Sequence, residues 1–164
     1  MIGSLQMVRT FQLICICLFS LFLSSCKEKE DNPVPYVDSC ELINGKLAWT
    51  FNGANACADA NIIADLAIVL TVNGLKQSGE SLTFELESVQ PGTYGVDDNN
   101  NSFTYTDALG MGWITPVQNA GNIVVTSHDA AQNKVKGNFN VALENPLTGA
   151  VRTLTGNFRL TYTN

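Results

Sequence analysis

The chain has 164 residues, with 9 Lys and Arg against 15 Asp and Glu, for a formal net charge of −6 at pH 7. That balance argues against a nucleic-acid partner, whose binding is driven by cationic side chains neutralising phosphates. It also gives no basic patch for anionic lipid head groups.

In chain order, the first element is an apolar run from Leu13 to Leu23, interrupted only by Ser20, with Arg9 ahead of it. A positive start, a short apolar stretch and small residues before a cut mark a secretory leader. A membrane-spanning helix needs about 20 apolar residues, and this run falls well short. The small residues end on a cysteine, and Leu23-Ser24-Ser25-Cys26 resembles a bacterial lipobox. The resemblance implies cleavage before Cys26, a diacylglycerol on its thiol and acylation of the new amine. Two or three acyl chains suffice for stable anchoring, at about 0.8 kcal/mol per buried methylene.

The segment Lys27-Glu28-Lys29-Glu30-Asp31-Asn32-Pro33 is charged and has no large apolar side chain. It cannot bury enough surface to fold, and Pro33 and Pro35 stiffen it toward an extended tether. Together with Cys26 it resembles the lysine-plus-acid export signal of Bacteroidetes-type surface lipoproteins. That resemblance implies an outer-membrane lipoprotein facing the medium. The expected organisation is a signal peptide over residues 1–25, a lipidated tether over 26–40 and a single β-domain over 41–164. Removing the leader leaves about 140 residues, enough for one domain with a proper core.

Five cysteines sort by position. Cys15 and Cys17 leave with the leader, and Cys26 takes the lipid. Cys40 and Cys57 remain, and an oxidising compartment makes a bridge between them the first expectation, with free thiols the alternative. Zinc competes poorly, because two thiols and the distant His128 do not make a tetrahedral set. No other cofactor is expected.

Past residue 40, turn residues recur at short intervals and the runs between them alternate. Leu47, Trp49 and Phe51 share one face, and Asn52-Gly53 ends the run. Leu82, Phe84 and Leu86 alternate with Thr83, Glu85 and Glu87, the pattern of a half-buried strand. Gln90-Pro91-Gly92-Thr93 reads as a type II turn. Ser102–Thr106, Gly112–Thr115 and Ile123–Val125 are further strands, the last bounded by turn residues that include His128-Asp129. Val135, Phe139, Val141 and Leu143 share a face with Gly137; Leu154, Phe158, Leu160 and Tyr162 share one with Gly156. A strand glycine marks a bulge or a close backbone approach, so these two are expected to bend the hairpin. One strand is expected from Asp65 to Val72, while Ala56–Ala64 fits helix or strand equally. The sum is an all-β, antiparallel sandwich or partly open barrel.

Trp49-Thr50-Phe51-Asn52-Gly53, Gly92-Thr93-Tyr94, and Gly121-Asn122-Ile123 followed by Gly137-Asn138-Phe139 are similar to a family of short Bacteroidetes lipoproteins of unknown function. The resemblance covers most of the mature chain, and its motifs are turns and core positions. It implies a fold and a location, and no activity. The Cys40/Cys57 pair departs from that family's pattern.

Candidate chemistry is sparse. His128 is the single histidine, so it would have to serve any triad. Its neighbour Asp129 points to the opposite side of an extended chain, and a solvated turn histidine is the simpler reading. Asp97 and Asp98 open the run Asp97–Asn101, whose oxygens suit calcium, although the spacing lacks a calcium-loop glycine. Asp and Asn are also ordinary turn formers. Glu85 and Glu87 share a wet face, where a glycosidase pair would need a cleft. Tyr94 and Trp113 could stack on sugar rings, and surface lipoproteins frequently capture glycans. The expected function is a non-enzymatic binding or scaffolding domain with a glycan or protein partner outside the cell. The alternatives are a glycan-binding accessory protein and a cryptic hydrolase.

Overall fold

The computed structural model describes residues 40–116 and 118–164. The leader, Cys26 and the tether up to residue 39 lie outside the described residues. The described chain is all-β. Its strands are β1 (Glu41–Leu42), β2 (Gly45–Phe51), β3 (Ala54–Cys57), β4 (Asn61–Leu66), β5 (Leu70–Leu75) and β6 (Ser81–Leu86). They continue as β7 (Gly92–Val96), β8 (Phe103–Thr106), β9 (Gly112–Ile114), β10 (Gly121–Asp129), β11 (Lys134–Glu144) and β12 (Val151–Thr161).

These strands form one antiparallel sheet that curls into a nearly closed barrel. One arc runs β7-β10-β11-β12-β2-β3, and the other β9-β8-β6-β5-β4. The arcs join where Glu144 of β11 pairs with Ile114 of β9. On the far side a parallel bridge joins Asp65 of β4 to Thr163 beyond β12. There Leu66 N–H donates to the Thr163 carbonyl at 2.8 Å, and Thr163 N–H to that of Ala64 at 3.0 Å. Closure on this side shortens the exposed strand edges, which otherwise template aggregation, and leaves β3 and β7 each paired on one side only.

Alternation explains the core. Inward residues of both arcs are buried: Leu47 and Trp49 on β2, Phe84 on β6, Phe103 on β8, Phe139 on β11 and Phe158 on β12. The four phenylalanines knit the arcs together. Phe84 lies 5.1 Å from Phe103 and 5.4 Å from Phe158, and Phe103 lies 5.1 Å from Phe139, centroid to centroid. Such aromatic pairs add about 0.5–1.5 kcal/mol each beyond their burial.

Turn chemistry follows the residues. The β2–β3 hairpin turns on Asn52 (φ 49°) and Gly53 (φ 83°), the two left-handed positions that a tight two-residue turn demands. The β11–β12 turn is tied by Asn145, a buried side chain. Its Oδ1 accepts from the N–H groups of Leu147 and Thr148, both at 3.0 Å, and its Nδ2 donates to the Gly112 carbonyl at 3.1 Å. One amide thus locks the turn and fastens it to β9.

Three local expectations are corrected. The strand expected from Asp65 to Val72 is two strands, β4 and β5, folded back with Leu66 opposite Leu70. Ala67, Ile68 and Val69 form the bend, and Ile68 is 93% exposed at its tip. The reversal carries no glycine, proline or asparagine, so nothing in its composition announces a turn. The ambiguous stretch before it holds the end of β3 and the start of β4, and no helix. Gly92 is no type II corner: it lies in β7 opposite Val125 and does not take a positive φ. His128 is likewise a strand residue, paired with Val135, and the chain reverses only after Asp129.

Cys40 and Cys57 form a disulfide, with 5.3 Å between their Cα atoms. It ties the start of the domain to β3.

Candidate functional site

The outward face of the first arc carries the most unusual surface. Because β2, β3, β10, β11 and β12 alternate, their non-core residues stand in straight cross-strand rows. One row runs Asn122, Asn140, Thr155, Thr50 and Asn55 from β10 to β3. The next runs Val124, Asn138, Asn157, Ala48 and Cys57. A third runs Ser127, Lys136, Arg159, Lys46 and Glu41. Exposed strand positions usually hold charged or β-branched residues, since Asn is a poor strand former. Here amides occupy the middle of the longest hairpin.

An open groove of 530 Å³ lies on the first two rows; its polar lining is Thr50, Asn55, Asn140, Thr155 and Asn157, and Ala48, Ala56 and Gly156 add to the surface, with Cys40 also in the lining. Thr50 Oγ1 donates to Asn55 Oδ1 at 2.7 Å. Asn138, Asn140 and Asn157 are exposed, and their side chains make no hydrogen bond to another described residue. The groove offers donors and acceptors from four strands, and no carboxylate, imidazole or amine is among its described lining residues.

The residues singled out from sequence are dispersed. Asp97 Oδ1 accepts from the backbone N–H groups of Asn99 at 2.8 Å and Asn100 at 2.7 Å. Those two bonds hold its pKa below the ordinary aspartate value. Asp97 lines a hollow of 390 Å³ with Glu87 and Asn101, whereas Asp98 lines a separate hollow with Ile114 and Glu144. Among the described residues, no group of three carboxylate, imidazole or thiol side chains could hold a metal ion. Asn101, left-handed at φ 55°, is a fastener: Oδ1 accepts from Glu87 N–H and Nδ2 donates to the Gly95 carbonyl, each at 2.9 Å.

Trp113 is 6% exposed, and its indole stands edge-on to Phe51, centroids 5.1 Å apart. It offers no open ring face for a sugar. Tyr94 is half-buried on β7, its hydroxyl donating to the Gln90 carbonyl at 2.7 Å. The two aromatics belong to different arcs and form no shared platform.

His128 Nε2 lies 2.7 Å from the Tyr162 hydroxyl and Nδ1 lies 3.4 Å from Gln90 Nε2. Among the described residues, no carboxylate bonds to the ring. Glu85 stands on β6 opposite Thr71, in the other arc, and Glu87 lines the hollow it shares with Asp97.

The perturbed titratable groups lie away from the groove. Burial pushes the Glu80 carboxyl up, but bonds from Lys76, Tyr105 and Ser78 outweigh it and hold the pKa below normal. The distances are 2.5 Å to Lys76 Nζ, 2.8 Å to the Tyr105 hydroxyl and 2.9 Å to Ser78 Oγ. Burial, then the bond to Glu80, raises the Tyr105 pKa. The cluster ties the β5–β6 turn to β8.

The amide rows were missed by reasoning from sequence. Their signal was present: the outward positions of two strongly alternating strands read Asn138, Asn140, Thr155 and Asn157. The basic row is a second correction, since an acidic total concealed a local concentration of cations.

A family model described as a domain of unknown function, DUF6252, matches residues 50–162. No curated protein and no solved structure matches the chain.

Proposed function

We propose that the chain, which belongs to the DUF6252 family, is a lipid-anchored, surface-exposed lipoprotein of the outer membrane whose β-domain binds an extracellular ligand without chemistry. The amide-lined groove on the outer face of the first arc is the observation that carries this reading. It is preformed on rigid strands, so binding there requires little ordering of the protein. The lipobox ending at Cys26 supports the anchor, and the Cys40–Cys57 bridge supports an oxidising, exported location.

Two measurements test it. Cys26→Ala should abolish acyl labelling and release the domain from membranes; retention of the variant on membranes would exclude the lipid anchor. A photo-cross-linking residue at Asn140 should trap a ligand on intact cells, whereas one at Thr83, on the outer face of the other arc, should not. Equal trapping at both positions, or none at Asn140, would sink the groove as the binding site.

A further inference from the structure

The third row of the outer face places Lys136, Arg159 and Lys46 directly opposite one another on three adjacent strands. Like charges in direct cross-strand opposition destabilise a sheet. In a chain with acids in excess, such a row is a cost that the Glu41–Arg159 pair offsets only in part. Lys134 shares the face, leaving Lys76 and Arg152 as the other cations among the described residues. The acids on this face are Glu41 at the edge of the row, Asp129 at the hairpin end and Glu144 at the opposite end. Glu41 pairs with Arg159. Lys46 and Lys136 have no ion pair among the described residues.

We infer that this row and the adjoining amide groove form one binding site for an acidic oligosaccharide, its carboxylate or sulfate groups on Lys46, Arg159 and Lys136. The inference rests on the groove being the binding surface. Neighbouring strands are about 4.8 Å apart, so the cations are spaced by a step comparable to one hexose. Charge-assisted bonds from the two lysines hold the acid groups, and Arg159 adds to them through the guanidinium N–H groups that its pair with Glu41 leaves open. Two residues along each strand, Asn157 and Asn138 then meet the sugar hydroxyls, with Asn140 and Thr155 beyond them. A membrane surface is the poorer occupant. Insertion would call for several large apolar side chains beside the cations; the adjacent row offers Val124 and Ala48, and Ile43, fully exposed, sits in the β1–β2 turn at the row's end.

The test uses the intact chain, produced with its own leader, and titrates it with polygalacturonate and chondroitin sulfate fragments, neutral dextran, polyphosphate and anionic vesicles. Binding to the acidic sugars, weakening as salt rises, with none to dextran, is expected. The double variant K46E/K136E should weaken it at least tenfold while its thermal midpoint holds or rises, because the new carboxylates flank Arg159. N140A/N157A should weaken binding and leave the salt dependence in place. Equal affinity for polyphosphate or vesicles, no binding to either acidic sugar, or an unchanged affinity in K46E/K136E would each overturn the inference. If Asn140 still cross-links a ligand while acidic sugars fail, the ligand class falls and the binding domain stands; if both fail, both fall.

Discussion

Gly137 and Phe158 stand directly opposite each other on β11 and β12, and the phenyl ring occupies the space a side chain on the glycine would need. A Cβ on Gly137 would lie 2.3 Å from the ring Cζ and 2.3 Å from the Val124 carbonyl oxygen. The converse pair repeats the arrangement: a Cβ on Gly156 would lie 2.3 Å from Phe139 Cζ and 2.4 Å from the Ala48 carbonyl oxygen. Asn138 faces Asn157 at the centre. The doubled Gly-Asn-Phe is therefore one antiparallel device in which each strand supplies a ring and the room for its partner's. The rings reach inward to Phe84 and Phe103, and the amides between them point outward to the groove.

Gly137→Ala should cost about 2–3 kcal/mol, the upper range for overpacking, read as a lower urea midpoint at unchanged slope. Adding Phe158→Leu should not restore the loss, because the Val124 carbonyl still blocks the methyl. Full recovery in the double variant would mean that the ring alone demands the glycine.

The disulfide closes a loop with a sequence separation of 17. Reduction, or Cys40→Ser, should remove about 3 kcal/mol in the chain-entropy model. Urea unfolding with and without reductant measures this. Identical midpoints would show that contacts between β2 and β3 already order the reduced chain's start.

Glu80→Gln should cost about 1–2 kcal/mol at pH 7, since the carboxylate accepts three hydrogen bonds, one of them from an ammonium. The folded pKa lies below the ordinary value of 4.5, so this stabilisation is complete above that pH. It is lost as pH falls through the lower folded value. The gap between wild type and variant should therefore close in acid, seen by comparing urea midpoints at pH 7 and pH 3. A gap that persists at pH 3 would assign the effect to packing.

Trp113→Ala should cost about 3–5 kcal/mol as a core truncation, while Trp113→Phe keeps most of the stability. In Trp113→Phe, ligand affinity should be unchanged, because the ring lies in the core between the arcs. A folded Trp113→Phe variant that loses binding would return this residue to the site.

Much of the fold was legible from sequence because strand burial has a period of two. Leu82-Phe84-Leu86, Phe139-Val141-Leu143 and Leu154-Phe158-Leu160 could hardly be placed otherwise. Asn52-Gly53 and Asn145–Gly149 announced their turns through left-handed or side-chain-bonded positions. The bend at Ala67–Val69 stayed hidden because Ile68 and Val69 are ordinary strand formers and Ala67 is no turn former, and pairing of Leu66 with Leu70 outweighs local preference.

The sequence alone determined the buried face of the alternating strands, Trp113 excepted, and that a bridge between Cys40 and Cys57 was available, because those depend on polarity and residue type. Only the tertiary structure decided which outward residues become neighbours. Asn140 and Thr50 are ninety positions apart in the chain, and Lys46 and Arg159 more than a hundred, yet cross-strand register sets them on one face. Register is a property of pairing between strands, and no local pattern within a strand contains it.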